Sequence, residues 1–168
     1  MAEEKGDIEV IEEVRVSRRR IGVIRKLKKQ IEELGGVKVE IEKELVKIRG
    51  DAISAFVAKR VIKALARGFD ASDAFKLFDD EYMLYVIPIA KEKKHLVRIK
   101  ARIIGTKGKM KREIERLTGA KLAIYGKTVS IIGRPDEAEL ARIAVEKLIH
   151  GASHGKVLSF LARVSKES

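Results

Sequence analysis

Apolar and polar positions along this chain follow two different periods, and those periods recur twice in the same order. Val14 and Val16 alternate with Arg15 and Ser17, as on a half-buried strand. Ile24, Leu27, Ile31 and Leu34 follow at spacings of three and four, which gathers them on one stripe of a helix. Gly36 fits the position just past that helix. Two strands are predicted over 37–41 and 45–48, and Asp51 is a candidate cap for a helix running to Gly68. The second round starts with Val97 and Ile99, continues with Met110, Ile114 and Leu117, passes Gly119, and predicts strands over 121–124 and 128–132. Its closing helix opens at Pro135-Asp136-Glu137, a favourable first turn, and runs through Leu140, Ile143, Ala144 and Leu148 to Gly151. Each round predicts the order β–α–α–β–β–α.

The two rounds are copies of one unit. An ungapped shift of 83 residues lays Val14–Gly68 on Val97–Gly151 with 20 of 55 positions identical. The chain therefore reads as an α+β protein of two tandem modules, each a three-stranded sheet backed by three helices. The first module covers 1–68 and the second, with a C-terminal tail, covers 95–168. Between them lies a connector over 69–94 that holds five of the eight aromatic residues: Phe69, Phe75, Phe78, Tyr82 and Tyr85. It has no Gly/Ser run of the kind that makes a flexible tether. Residues 70–78 suit a short helix, and 83–89 form an apolar strand-like run interrupted by Pro88. The connector is expected to bury its rings between the modules and to fix their orientation.

Candidate chemistry lies at the junction of the two short helices in the second copy, Ile103-Ile104-Gly105-Thr106-Lys107-Gly108-Lys109. Two glycines let a sugar-phosphate chain approach the backbone without Cβ interference, and the N–H groups that open a helix favour phosphate. An apolar pair, Gly-x-x-Gly and a basic amphipathic helix, set in this element order, resemble the type I (eukaryotic-type) KH RNA-binding module. Such a loop holds about four nucleotides. The resemblance assigns RNA contact to Arg102, Ile103, Ile104, Gly105, Thr106, Lys107, Gly108, Lys109, Met110 and Arg112 on the loop and its flanking helices. On the strand and hairpin beside it, the resemblance adds Leu122, Ala123, Ile124, Tyr125 and Lys127. Of Ile103 and Ile104, one is expected to pack inward and the other to line a groove. With Tyr125 as the one aromatic near that groove, stacking cannot dominate base selection. Aliphatic contacts from Ile104, Met110, Leu122 and Ile124 and the backbone edge of the strand are expected to carry it. The first copy reads Gly22-Val23-Ile24-Arg25, with Arg where Gly108 stands, and is expected to be a degenerate clamp. Its Arg18, Arg19, Arg20, Arg25 and Lys26 are candidates for secondary phosphate contacts.

Charge supports an acidic partner. The chain of 168 residues carries 37 Lys+Arg against 25 Asp+Glu, a net charge of +12. Residues 14–68 hold 16 basic and 6 acidic groups, and residues 95–151 hold 13 and 6, so the excess sits in the two copies. Cysteine is absent, which excludes disulfides, thiolate nucleophiles and cysteine-ligated zinc. Asn and Trp are absent too, which leans towards a thermophile. No apolar run approaches the length of a membrane span, and the acidic start lacks signal-peptide order, so a cytoplasmic location with no membrane contact is expected.

The arrangement as a whole resembles the archaeal form of the partner-of-Nob ribosome-assembly factors. Tandem type I KH modules with Gly-x-x-Gly kept only in the second, the run Ala74-Phe-Lys-Leu-Phe-Asp-Asp-Glu-Tyr82, and the tail Gly151-Ala-Ser-His-Gly-Lys-Val-Leu-Ser-Phe-Leu161 carry that resemblance. It implies a non-enzymatic protein that binds the 3′ end of single-stranded small-subunit rRNA. It also implies partnership with the endonuclease that trims this end and with the initiation factor 2 alpha subunit, with the chain itself a monomer. The competing reading is a protein-interaction scaffold, in which the first copy and connector bind protein and RNA contact is incidental.

Other features carry less. Lys111, Arg112 and Arg116 also fit a solvated helix face. His95, His150 and His154 have no cysteine and no clear carboxylate partner, so no metal site or cofactor is expected. Gly151–Lys156 resembles a phosphate loop but has three residues between its glycines instead of four, and Val157 in place of Ser or Thr. Asp79-Asp80 fits a solvated turn, and no catalytic constellation is visible.

Overall fold

In the computed structural model, residues 8–90 and 92–167 are described, apart from the side chain of Glu167. Residues 1–7, which the first module was expected to include, lie outside them. The chain divides into two compact units that meet between Asp79 and Asp80.

The first unit contains β1 (Val10–Arg15), α1 (Arg18–Gly35), β2 (Lys38–Glu42), β3 (Leu45–Gly50), α2 (Ala52–Ala66) and the short α3 (Ala71–Ala74), which passes into a 3-10 turn at Phe75–Phe78. Its antiparallel sheet has the order β1-β3-β2. Val14, Val46 and Ile48 face Ile24 and Ile31 of α1 and the Ala55–Ala58–Ile62–Leu65 stripe of α2, all at most 9% exposed. Gly36 ends α1 in the left-handed region at φ 64°, its N–H returning to the Glu32 carbonyl. The Asp51 carboxylate accepts the Ser54 N–H at 2.9 Å and caps α2. That bond holds its pKa below the ordinary carboxylate value.

The second unit contains β4 (Met83–Pro88), α4 (Lys93–Ile104), α5 (Lys109–Thr118), β5 (Lys121–Tyr125), β6 (Thr128–Gly133), α6 (Pro135–Ile149) and α7 (His154–Glu167). Its sheet order, β4-β6-β5, repeats the first. Pro135 occupies the first turn of α6, and the Glu137 carboxylate accepts the Arg134 N–H at 2.9 Å.

Two expectations need correction. The strand that opens the second copy is not at Val97 and Ile99 but at Met83–Pro88, which pairs with β6 from Met83↔Gly133 to Pro88↔Thr128. The first sheet has the same register, Val10↔Gly50 to Arg15↔Leu45. First strands thus correspond at an offset of 73 residues and third strands at 83, so the second copy carries ten extra residues before its helices. They build the front of α4, where Leu96, Ile99 and Ile103 face inward at helical spacing and Val97 is 64% exposed. A window of two alternating valines and isoleucines cannot distinguish that stripe from a strand.

The connector is the second correction, because it has no separate existence as a packed segment over 69–94. Phe69 is buried in the first unit, where Phe75 and Phe78 also lie, while Tyr82 and Tyr85 belong to the second. Tyr85 donates to Glu139 at 3.3 Å, and Arg134 lies over the Tyr82 ring. The third helix of the first unit is the short α3, because α1 runs unbroken where the second unit has α4 and α5.

Candidate nucleic-acid interface

The break between α4 and α5 is made by glycine geometry. Gly105 takes φ 74°, ψ 175°, a region closed to side chains, while its N–H still bonds the Ala101 carbonyl at 2.8 Å. A Cβ at this position would lie 2.7 Å from both Cβ and N of Met110. Thr106–Gly108 then form one 3-10 turn closed by Gly108 N–H on the Gly105 carbonyl at 3.2 Å. Lys107 (φ 55°) and Gly108 (φ 76°) are both left-handed, and Arg112 clasps the turn by donating to the Lys107 carbonyl at 2.7 Å.

This turn delivers the chain to the N-terminus of α5, which no side chain caps. The Lys109 N–H bonds the Thr106 carbonyl, the next N–H groups open the helix without an intrahelical partner, and the positive end of its dipole lies beside the exposed Lys107 and Lys109. The loop thus offers backbone donors, positive potential and no obstructing side chain at Gly108, where a Cβ would meet only the mobile Arg112 guanidinium at 3.0 Å. Glu113 stands one turn further on. Its bond to Arg116, at 2.7 Å, holds its carboxyl below the usual carboxylate range, so it stays ionised.

Beside the loop runs β5, one of the two edge strands of its sheet. Glu115 accepts the Leu122 N–H at 3.0 Å, so that amide points away from β6. By the alternation of an antiparallel ladder, the Ile124 backbone also faces the open edge, and among the described residues no carboxylate covers it in this way. The first unit repeats the device, Glu32 accepting from Val39 N–H at 2.9 Å. Sequence reasoning passed over Glu115, although its identity with Glu32 across the repeat was a visible signal. It also passed over Lys100, which donates to the Gly126 carbonyl at 3.1 Å and holds the hairpin that carries Lys127.

The structure gathers most of the expected contacts but not all. Ile104 and Ile124 are half-buried, Ile124 packing against the core; Ile103 is fully buried and is the inward member of its pair. Met110 and Leu122, at 3% exposure, belong mainly to the core, and Ala123 is buried on the opposite face of β5. Tyr125 is half-buried and Thr106 exposed. Arg102 is turned away from the loop and donates to the Ala152 carbonyl, while His154 donates through Nε2 to the Arg102 carbonyl at 2.7 Å. These bonds tie α4 to the start of α7. A 240 Å³ hollow lies alongside, between the Gly105–Met110 turn and His154 and Leu158.

The first unit has no such loop. α1 runs unbroken through Gly22–Arg25, and Gly22 is not among the positive-φ glycines, so the amides there serve the helix ladder. The first unit lacks the loop because the break in the helix is itself missing. An 880 Å³ groove nonetheless lies between α1 and the β2–β3 hairpin, lined by Arg15, Arg18, Arg25 and Lys43 with Glu42 and Glu44. Arg18 is 93% exposed and meets Glu44 at 3.4 Å. Arg19 and Lys26 are exposed on α1. Arg20 is the exception among the expected phosphate contacts. It donates inward to the Leu65 and Phe69 carbonyls at 2.8 and 2.9 Å, closing the end of α2.

Among the described residues, no helix is long and apolar enough to cross a membrane, and no three His, Asp or Glu side chains converge as metal ligands would.

Comparison with known proteins agrees with this geometry. The family model for the second KH domain of PNO1 proteins, a eukaryotic-type (type I) KH domain, matches residues 83–166, which begin at β4. A KH domain-containing protein of Methanocaldococcus jannaschii is 40% identical over 94% of this chain and 75% of its own length. The pre-rRNA-processing protein pno1 of Aspergillus fumigatus is 34% identical over 62% of this chain; the matched segment spans 44% of that protein. Among solved structures, Dim2p of Pyrococcus horikoshii superposes with a TM-score of 0.85 at 34% identity, covering 92% of this chain and 99% of that one. A chain in the a/eIF2alpha–aDim2p–rRNA complex of the same organism gives 0.89 at 34% identity, covering 96% and 97%. With a shared sheet topology, an intact Gly105–Gly108 loop and a relative alike over nearly its whole length, the chain belongs to the PNO1 family of KH-domain proteins.

Proposed function

We propose that the chain binds single-stranded RNA through the Gly105–Gly108 loop and acts, without enzymatic activity of its own, in assembly of the small ribosomal subunit at the 3′ end of its rRNA. The observation that carries this reading is the pair of positive-φ glycines opening the uncapped α5 beside Lys107 and Lys109. A sugar-phosphate chain laid over the loop meets amide donors and positive charge, and its bases reach Ile104, Ile124 and the free edge of β5. The pre-rRNA-processing role named for the fungal relative and the rRNA present with the archaeal one support the choice of RNA. The a/eIF2alpha in that complex supports an initiation-factor alpha subunit as a protein partner. The trimming endonuclease, a monomeric state and a cytoplasmic location complete the reading.

In this account the first unit adds electrostatic grip through Arg18, Arg19, Arg25 and Lys26 rather than a second clamp. Fluorescence anisotropy with short single-stranded RNAs tests the proposal. An RNA with the 3′-terminal sequence of small-subunit rRNA is expected to bind at least about tenfold more tightly than its scrambled version. Equal affinities would leave a charge-driven RNA binder without the assigned role.

A further inference from the structure

The duplication continues past the last helix of each unit. α3 begins at Ala71 and α7 at His154, again 83 residues apart, and both follow a four-residue link. The inward residues correspond: Ala74 and Val157 are both fully buried, Phe78 falls on Leu161, and Leu77 falls on Phe160. The two elements then part. α7 goes on to Glu167, and Val164 and Ser165 near its end close a 310 Å³ hollow with Leu117 of α5 and Asp136, Glu139 and Leu140 of α6. Its counterpart stops at Phe78, and the chain proceeds to β4 of the other unit.

The residues that stand in the first unit where Leu117, Asp136 and Glu139 stand in the second are Leu34, Ile53 and Phe56. No helix covers them: they are 61%, 79% and 56% exposed. Single exposed apolar residues need no explanation, but three large ones on repeat-equivalent walls of one hollow form a patch. The charge has changed with the cover. The α6 wall of the hollow carries Asp136, Glu137 and Glu139, the last paired with Arg142, and the final turns of α7 carry Arg163 and Lys166. In the first unit Ile53 and Phe56 replace Asp136 and Glu139, and Lys63 stands where Glu146 stands.

We propose that the α1–α2 face around Leu34, Ile53 and Phe56 docks an amphipathic helix of a protein partner, apolar on one stripe and acidic on its flank. The geometry of the occupant comes from the second unit, where the equivalent face holds a helix, and its charge comes from Arg60, which stands where Ile143 lines the hollow, and from Lys63 one turn further along α2. This docking site is independent of the RNA reading and lies on residues that reading does not use.

The test is an NMR titration of the isotope-labelled full chain with a synthetic 14-residue peptide. The peptide carries the apolar residues of α7 in order, with Lys156→Glu, Arg163→Glu and Lys166→Glu. Saturable shifts are expected at Leu34, Ile53, Phe56 and Val57. Phe56→Glu in the full chain, at an exposed site that leaves the core intact, is expected to weaken the peptide at least about tenfold, as loss of a central aromatic anchor does, with RNA affinity unchanged. The peptide with its original Lys and Arg residues is expected to bind more weakly. No saturable shift at millimolar peptide would overturn the proposal. So would shifts on α5 and α6 instead, or self-association of the chain that Phe56→Glu abolishes.

Discussion

Replacing Gly105 by alanine separates the two jobs a Gly-x-x-Gly loop performs. At φ 74° and ψ 175° the backbone sits in a region that is essentially glycine's alone, which costs another residue about 1–3 kcal/mol. The new Cβ would also lie 2.7 Å from Met110 Cβ and N, and backbone cannot swing aside as a side chain can. Overpacking of that kind adds about 1–3 kcal/mol, so about 4 kcal/mol is a central expectation for Gly105→Ala. Gly108→Ala faces the left-handed penalty of about 1–2 kcal/mol, its Cβ meeting no backbone but only the end of the Arg112 side chain that clasps the turn. Urea unfolding followed by tyrosine emission reads this out cleanly. All three tyrosines, Tyr82, Tyr85 and Tyr125, belong to the second unit. With a slope of about 1 kcal/mol per molar urea, the midpoint should fall by about 4 M for Gly105→Ala and about 1.5 M for Gly108→Ala. Equal falls, or a Gly105→Ala midpoint within about 0.5 M of the parent, would refute the claim that Gly105 is required by packing.

Arg20→Ala should destabilise the first unit by about 1–3 kcal/mol, since two charge-assisted bonds to the Leu65 and Phe69 carbonyls are lost. Hydrogen exchange would register this as faster exchange at the end of α2, and unchanged protection there would contradict it. Asp51→Ala should lower the melting temperature at neutral pH. The Asp51 pKa is depressed by folding, so its contribution is complete above the ordinary value of 3.8 and is lost as pH falls through the lower folded value. The difference between variant and parent should therefore be constant from about pH 5 upward and shrink in acid; a gap that widens in acid would reverse the sign. For RNA, each phosphate contact on a single strand contributes about −0.7 to the log–log salt slope, so Lys107, Lys109 and Lys127 alone give about −2. With Arg18, Arg19 and Arg25 engaged as well, the slope should reach about −4, and Arg18→Ala with Arg19→Ala should make it shallower without touching Arg20. A slope near −2 that this change leaves alone would remove the first unit from the RNA path.

Much of this was legible because the repeat gives every position a second reading. From Lys38 and Lys121 onward the two copies coincide at one offset, and β2, β3 and α2 match β5, β6 and α6 residue for residue. The missed first strand follows from the ten-residue insertion. An ungapped alignment carries Val14 onto Val97, and only pairing with β6 reveals that Met83–Pro88 holds the equivalent place. The loop was legible since glycine spacing encodes backbone geometry locally. The roles of Arg20 and Arg102 were not, because their carbonyl partners are 45 to 50 residues away and no pattern marks a carbonyl. Spacing places Leu34 on the apolar stripe of its helix, yet it is exposed because the helix that would cover it ends at Phe78.

The central claim, that one loop of the two clamps RNA, is tested most directly by a pair of matched substitutions. Gly108→Asp and Arg25→Asp occupy equivalent positions 83 residues apart, and both introduce a carboxylate. Asp tolerates the left-handed conformation of Gly108 better than most residues, so the fold should survive, as tyrosine emission would verify. Binding of a short single-stranded RNA should weaken at least about tenfold for Gly108→Asp, where the carboxylate meets phosphate at the mouth of α5. For Arg25→Asp, on an unbroken helix, the loss should stay within about threefold. Equal losses, or a larger one at Arg25, would contradict the account.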